Sequence, residues 1–142
     1  MDIGKAADFV KSYGVAGAAC DPEAAANHYA WPYTSFTLGH VSQFTDRTSA
    51  LAQMVPWFNR FKEFGIDDMR LARTSIHVVS DTFALCHVTW EIHPKSPDIA
   101  PWQWTNIYGL RQDEHGQRFE FAVSDNEIAN LLQRFPNFLQ QA

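Results

Sequence analysis

The sequence predicts an α+β fold in which helices come first and an antiparallel sheet follows. Three observations support this prediction. Apolar residues recur at helical spacing from Ile3 to about Ala19, which is typical of an amphipathic helix. After Gly65 apolar and polar residues alternate, as they do in strands with one buried face. No helical segment separates the later strands, and this favours an antiparallel meander.

Two helices are predicted at the start of the chain. The first runs from Ile3 to about Ala19. Asp21 then suits the N-cap of a second helix, and Pro22 suits its first helical position. This second helix extends to Tyr29, so it is too short to be stable without packing against the rest of the protein.

A hairpin and a third helix are predicted in the middle of the chain. The two short strands are Thr34–Leu38 and His40–Phe44. Thr45 or Asp46 caps the helix that follows, and Gly65 ends it. Because Pro56 lies inside this helix, we expect a kink or a restart there.

Four longer strands are predicted after the third helix. They are Arg70–Val79, Thr82–His93, Gln103–Arg111 and Gln117–Asp125. Ser80-Asp81 is predicted as the tight turn between the first two of these strands. With that turn, His77 pairs with Ala84 and faces the interior, and Arg70 and Glu91 are cross-strand neighbours.

The last strand ends in a carboxylate. Phe119, Phe121, Val123 and Asp125 alternate with polar or small residues, which places all four on one predicted face. Ser124 followed by Glu127 is also the capping-box pattern, so a C-terminal helix is predicted to begin here and to stop at Pro136. Asp125 therefore has two interpretations, a carboxylate at the mouth of a pocket or a residue in the first turn of a helix.

Composition limits the class of protein. The chain has 142 residues, of which 46% are hydrophobic and 14% aromatic, and we predict a single domain over residues 1–142. The net charge of −5 and the lack of basic runs argue against nucleic acid and anionic membranes as partners. Neither a membrane span nor a signal peptide is evident, so a cytoplasmic location is expected. Cys20 and Cys86 are interpreted as buried free thiols.

The order of elements resembles the nuclear transport factor 2-like superfamily, which includes the SnoaL-like polyketide cyclases and the ketosteroid isomerases. The segments that carry the resemblance are Asp21–Ala24, Tyr29, Thr82–Trp90 and Leu110–Phe119. The resemblance covers roughly residues 3–125. It implies a strongly curved, cystatin-like sheet that forms a cone around the helices. It also implies a small apolar ligand at the open end and a homodimer through the outer face of the sheet.

The resemblance can be tested against the catalytic residues of these families. Tyr13 occupies a place similar to the general acid of the ketosteroid isomerases. The position of their general base, eight residues beyond Tyr29, is Thr37. Because a threonine cannot serve as that base, ketosteroid isomerase in the strict sense is rejected. Asp125 resembles the acid/base carboxylate of the SnoaL-like cyclases.

The leading functional hypothesis is a pocket for an apolar or polycyclic small molecule. If the protein is an enzyme, we expect isomerisation, cyclisation or hydration without a cofactor. Asp125 or His77 would be the base, and Tyr13 or Tyr29 would donate a hydrogen bond. No metal site is expected, because the six histidines do not converge. The predicted ligand-binding residues are Tyr29, Phe36, Trp57, Phe58, Phe61, Trp90, Trp104, Asn106 and Tyr108.

The second hypothesis is a binding or dimerisation domain without catalysis. In that case the aromatic side chains fill the core, and the polar positions are helix caps and surface pairs.

Overall fold

A computed structural model describes residues 1–140 and confirms the α+β prediction. The helices of the described part are α1 (Ile3–Ala18), α2 (Pro22–Ala26), α3 (Arg47–Glu63) and α4 (Asp125–Arg134). The strands there are β1 (Tyr29–Thr37), β2 (His40–Phe44), β3 (Met69–Ser80), β4 (Phe83–Ile92), β5 (Trp102–Asp113) and β6 (Gly116–Val123).

The six strands form one curved sheet in the order β2-β1-β6-β5-β4-β3. Strands β3 to β6 are the predicted antiparallel meander. The pairing of β1 with β6 is parallel, which the sequence did not predict. Tyr29 begins β1 instead of ending the second helix, because its backbone pairs with Phe119 of β6. This parallel pair joins the N-terminal hairpin to the meander.

Side-chain caps fix where the helices begin. Asp21 accepts a hydrogen bond from the Ala24 amide at 3.1 Å, and Asp46 accepts one from the Ser49 amide at 2.8 Å. Asp21 is the predicted N-cap of α2, and Asp46 is one of the two residues, Thr45 and Asp46, predicted to cap α3. α3 continues through Pro56 without ending. No helix in the part of the chain that the structure describes has the length and apolar character needed to cross a membrane.

The helices pack into the concave face of the sheet, and the core lies between them. Its largest fully buried side chains include Trp104, Phe61 and Phe119. α1 approaches the sheet closely at Gly17, where a β-carbon would lie 2.7 Å from the Trp90 ring. A glycine is required there because any larger residue would displace the indole.

β-bulges change the direction in which side chains point. In β3 the register shifts between Leu71 and Arg73, and in β6 it shifts between Phe119 and Phe121. A bulge inserts one residue on one strand, so every later side chain moves to the opposite face. The strict alternation predicted for the last strand is therefore wrong. Phe119 is buried, whereas Phe121 lies on the outer face above Gly109.

The segment after α4 folds back against α3. Phe138 is 1% exposed, and its ring lies 5.5 Å from that of Phe61 and 5.2 Å from that of Trp57. Arg60 donates hydrogen bonds to the carbonyls of Phe138 and Asn137 at 2.9 and 3.3 Å. This C-terminal segment therefore belongs to the core.

Replacing Phe138 by alanine should destabilise the protein by about 3–5 kcal/mol, because it removes a buried ring and leaves a cavity. Leu139 is the matched control, since it is the next residue and is 52% exposed. Leu139→Ala should change the free energy of unfolding by no more than about 0.5 kcal/mol. Urea unfolding followed by tryptophan fluorescence measures both. Equal losses would show that Phe138 does not anchor the segment.

Candidate functional site

A cavity of about 320 Å³ lies between the helices and the concave face of the sheet. This volume is at the lower end of the range for small-molecule sites, roughly 300–1,000 Å³. Most predicted ligand-binding residues line it. They are Tyr29, Trp57, Phe58, Phe61, Trp90, Trp104, Asn106 and Tyr108, together with the predicted donor Tyr13. That these residues bind a ligand stays a prediction.

Three tyrosines form one polar part of the cavity wall. The hydroxyl groups of Tyr13 and Tyr29 are 2.5 Å apart, and the rings of Tyr29 and Tyr33 stack at 4.0 Å. Burial raises the pKa of all three hydroxyls above the ordinary value. These groups are therefore neutral at physiological pH and can act as hydrogen-bond donors.

Tyr108 lies beside this group and accepts two hydrogen bonds. The Trp90 indole N–H and the Asn106 side-chain amide each donate to its hydroxyl oxygen at 3.3 Å. A hydroxyl oxygen has two acceptor sites, so both are occupied and the hydroxyl proton must be donated elsewhere. Burial raises the pKa of Tyr108 to about 12. The hydroxyl group therefore keeps its proton at physiological pH.

Glu127 is the acidic side chain of the described cavity wall, and the sequence prediction missed it. It extends from the first turn of α4, and its Oε2 accepts a hydrogen bond from the Asn106 amide at 3.3 Å. Burial among aromatic side chains raises its pKa to about 7, although this hydrogen bond acts in the opposite direction. A carboxylate with a pKa near neutrality is suited to general acid/base chemistry.

The predicted capping box explains why Glu127 was missed. Ser124 stands at the N-cap position of α4 without a side-chain capping bond, and its hydroxyl instead lies 2.9 Å from that of Thr37. The Glu127 side chain does not turn back to the Ser124 amide. The sequence does contain a signal that Glu127 faces inward. It lies one helical turn before Leu131 and next to Ile128, on the apolar stripe of the helix.

Asp125 does not face the cavity, so the prediction of a carboxylate at the pocket mouth is wrong. The residue is exposed and occupies the first position of α4. Its carboxylate accepts a hydrogen bond from the Leu38 amide at 2.5 Å. Asp125 is instead a residue of the first helical turn, as the alternative interpretation predicts. β6 ends at Val123, so the predicted strand alternation does not extend to Asp125, which already belongs to α4.

His77 is also outside the cavity. It pairs with Leu85 instead of Ala84 and is exposed. The predicted pair of Arg70 and Glu91 does form at the other end of the same two strands. The bulge in β3 lies between these positions, and it turns His77 to the outer face.

Phe36 is the one predicted ligand-binding residue that points away from the cavity. Its ring is 39% exposed and lies 6.3 Å from the ring of Phe121, on the outer face of the sheet. The next residue of β1, Thr37, lines the cavity. The resemblance to the ketosteroid isomerases equates this position with that of their base, and here the residue has a hydroxyl group paired with Ser124.

The described part of the cavity wall holds no lysine, arginine or histidine. Transfer of a charged group from water to such a site is unfavourable unless an opposite charge or several hydrogen bonds compensate. The wall therefore disfavours carboxylates and phosphates. It suits an uncharged molecule with a large apolar surface and a polar group at one end.

A curved six-stranded sheet with helices on its concave side and a cavity between them defines a small α+β protein with an internal pocket. Residues 5–127 match the family described as NTF2-like protein (DUF6841), and the chain belongs to this family. No curated protein matches the sequence.

Solved structures show the same fold at low sequence identity. An NTF2-like protein with a cystatin-like fold from Novosphingobium aromaticivorans is 14% identical, with a TM-score of 0.67 over 99% of this chain and 90% of that chain. A ketosteroid isomerase-like protein from Erwinia carotovora atroseptica is 13% identical, with a TM-score of 0.66 over 86% of this chain and 93% of that chain. These likenesses establish the fold alone.

The raised pKa of Glu127 should make stability depend on pH. The folded carboxyl group retains its proton up to about pH 7, whereas the unfolded group releases it near 4.5. The folded state thus binds more protons between these values, and the free energy of unfolding should fall as pH rises through this window. The loss should be at most about 1.4 kcal/mol for each pH unit.

Glu127→Gln provides the comparison, because it removes this ionisation and keeps the shape of the side chain. Urea unfolding of both proteins at several pH values isolates the contribution of Glu127, since all other groups titrate in both. The difference in stability should shift in favour of the variant as pH rises from about 4.5 to 7. Parallel pH profiles would contradict the assignment.

Proposed function

We propose that this protein binds an uncharged, largely apolar small molecule in the cavity and performs acid/base chemistry on it without a cofactor. Glu127 is the general base, and the Tyr108 hydroxyl is the hydrogen-bond donor. The observation that carries the proposal is the position of Glu127. Its carboxylate lies in an aromatic wall, and it shares one Asn106 amide group with Tyr108 at 3.3 Å from each.

The two groups together match the needs of proton abstraction next to a carbonyl group. Glu127, with a pKa of about 7, can take a proton from carbon and return it to another carbon. The Tyr108 proton can be donated to the carbonyl oxygen as negative charge develops there. Return of the proton at a new position is an isomerisation, and attack by the resulting enolate on a second carbonyl group is a cyclisation.

The chemistry of the wall supports the ligand class. Trp57, Phe58 and Phe61 present rings along α3, and Trp90 and Trp104 present rings from the sheet. Such rings favour fused or planar apolar molecules. The cavity volume of about 320 Å³ suits a bicyclic or tricyclic molecule better than a long chain.

The proposed base differs in position from that of the ketosteroid isomerases. In this chain Thr37 occupies the place of their base on the first strand, whereas Glu127 reaches the cavity from α4. The likeness in fold to the ketosteroid isomerase-like protein of Erwinia therefore supports the pocket as a location for a ligand. The proposed mechanism rests on Glu127 and Tyr108 alone.

The proposal predicts catalysis of hydrogen exchange in a simple ketone. The probe is 2-tetralone, an uncharged bicyclic ketone with acidic protons next to its carbonyl group. In D₂O near neutral pH the protein should accelerate the loss of the NMR signals of these protons. Glu127→Gln should lower the rate by at least about 100-fold, and Tyr108→Phe by about 10- to 100-fold.

Asp125→Asn is the matched control, because it removes a carboxylate two residues away that lies outside the cavity and keeps a side-chain oxygen that can accept the hydrogen bond from the Leu38 amide. It should keep the wild-type rate. If 2-tetralone shifts the NMR signals of cavity residues but exchanges no faster than in buffer, the catalytic proposal fails. The protein would then be a binding domain without catalysis.

We further propose a homodimer through the outer face of the sheet. Val41, Phe36, Val123 and Ile107 are successive cross-strand partners on β2, β1, β6 and β5. They form an apolar row on this face, in which Val41 is 65% exposed. A second copy of the chain would cover the row with an identical row, as a two-fold interface requires.

Val41→Glu should weaken this dimer at least about tenfold, because it would place two like charges in the interface. Val15→Glu is the control, since Val15 is a 71% exposed valine on α1, away from the sheet face. Sedimentation equilibrium measures the dissociation constants of both variants and of the wild type. A monomeric wild type, or equal effects of the two substitutions, would refute the interface.

A further inference from the structure

Asn106 makes an unusual set of hydrogen bonds. Its side-chain nitrogen donates to both the Tyr108 hydroxyl and the Glu127 carboxylate, each at 3.3 Å. Its side-chain oxygen is buried and has no hydrogen-bond partner within residues 1–140. The residue as a whole is 5% exposed. Buried amide oxygens in proteins are almost always paired, so this arrangement requires an explanation.

The orientation of the amide matches one charge state of Glu127. An ionised carboxylate can only accept hydrogen bonds, so it requires the NH₂ group of Asn106. A protonated carboxyl group has a hydrogen to donate, and the amide oxygen is its natural acceptor. Rotation of the amide by half a turn would exchange the two ends.

No hydrogen bond at the far end of the amide holds the observed orientation, because the oxygen there is unpaired within the described residues. The hydrogen bonds to Glu127 and Tyr108 decide between the two orientations.

We propose that Asn106 is a positioning residue whose amide turns when Glu127 gains a proton, so that one rotation changes the hydrogen bonding of both Glu127 and Tyr108. The inference deepens the proposed function and rests on it for its catalytic meaning. When Glu127 is ionised, Tyr108 accepts from Asn106, and its own proton is free for a ligand. When Glu127 is protonated, Tyr108 donates to the Asn106 oxygen, and its proton is withdrawn from the cavity.

The surroundings make Glu127 the group that controls the rotation. The titratable groups that face it are Tyr108 on β5 and Tyr29 and Tyr33 on β1. Burial keeps these tyrosines neutral near pH 7, and the Trp90 N–H remains a donor to Tyr108 in both states. The pKa of Glu127, raised by burial to about 7, brings the change into the physiological range. The proposed base and the proposed donor would thus become available together as pH rises.

NMR of the ligand-free wild-type protein tests the inference. The carboxyl carbon of Glu127 reports its ionisation, and the side-chain NH₂ group of Asn106 reports the rotation. Above the midpoint of the Glu127 titration, nuclear Overhauser effects should connect the Asn106 NH₂ protons to the Glu127 γ-protons and the Tyr108 ring. Below the midpoint these signals should weaken at least about fivefold, with the same midpoint as the carboxyl carbon. Signals that persist through the titration, or a different midpoint, would overturn the proposal.

Two variants complete the experiment. Glu127→Gln should make the Asn106 signals independent of pH between about 5.5 and 8.5, whereas Asp125→Asn should leave their pH dependence unchanged. A pH dependence that survives Glu127→Gln would also overturn the proposal. No ligand is present, so failure of the rotation leaves the proposed base intact. Failure of 2-tetralone exchange in a protein whose amide does rotate would count against the proposed function alone.

Discussion

The attachment of α4 to the end of β1 determines the chemistry of the cavity. Three hydrogen bonds form it: the Leu38 amide to Asp125 at 2.5 Å, the Ser124 amide to the Phe36 carbonyl at 3.0 Å, and the hydroxyl pair of Thr37 and Ser124 at 2.9 Å. They extend the parallel pairing of β1 with β6 beyond the last strand. These bonds fix the position at which α4 begins. They therefore also fix the direction of its first turn, from which Glu127 extends into the cavity.

The cavity holds this acid at an energetic cost. Burial opposes ionisation of Glu127, and a single hydrogen bond from Asn106 compensates in part. The result is a carboxyl group that changes charge near neutral pH, which solvent-exposed glutamates do not do. Part of the aromatic wall is closely packed, since the Tyr13 ring makes edge contacts with the rings of Trp90, Tyr108 and Phe119 at 5.1–5.7 Å.

The NTF2-like fold does not determine which position of the cavity wall carries an acidic residue. The first strand of this chain has Thr37 at the position where the ketosteroid isomerases have a base, and the acid of the cavity comes from α4 instead. Both positions face the same space, because the parallel pair of β1 and β6 brings the start of α4 beside the end of β1. A shared fold therefore does not show which residue of a cavity is reactive.

The sequence was enough to predict four helices, the meander, the cap at Asp21, a cap at Thr45 or Asp46, and most of the aromatic wall. These features follow from local periodicity and from side chains that bond to nearby backbone, so they are visible in short segments. It did not determine which carboxylate enters the cavity, or that His77 and Phe36 point outward.

Those points depend on contacts between distant segments of the chain, in two ways. A bulge changes the face of every later residue in its strand, and its place depends on pairing with a distant strand. The capping box predicted for Ser124 and Glu127 also does not form. Contacts between distant segments replace it, because Thr37 pairs with Ser124 and Asn106 pairs with Glu127. The sequence pattern predicts an acidic side chain in the cavity near the end of the last strand. The packing of β1, β5 and α4 determines that this side chain is Glu127 and not Asp125.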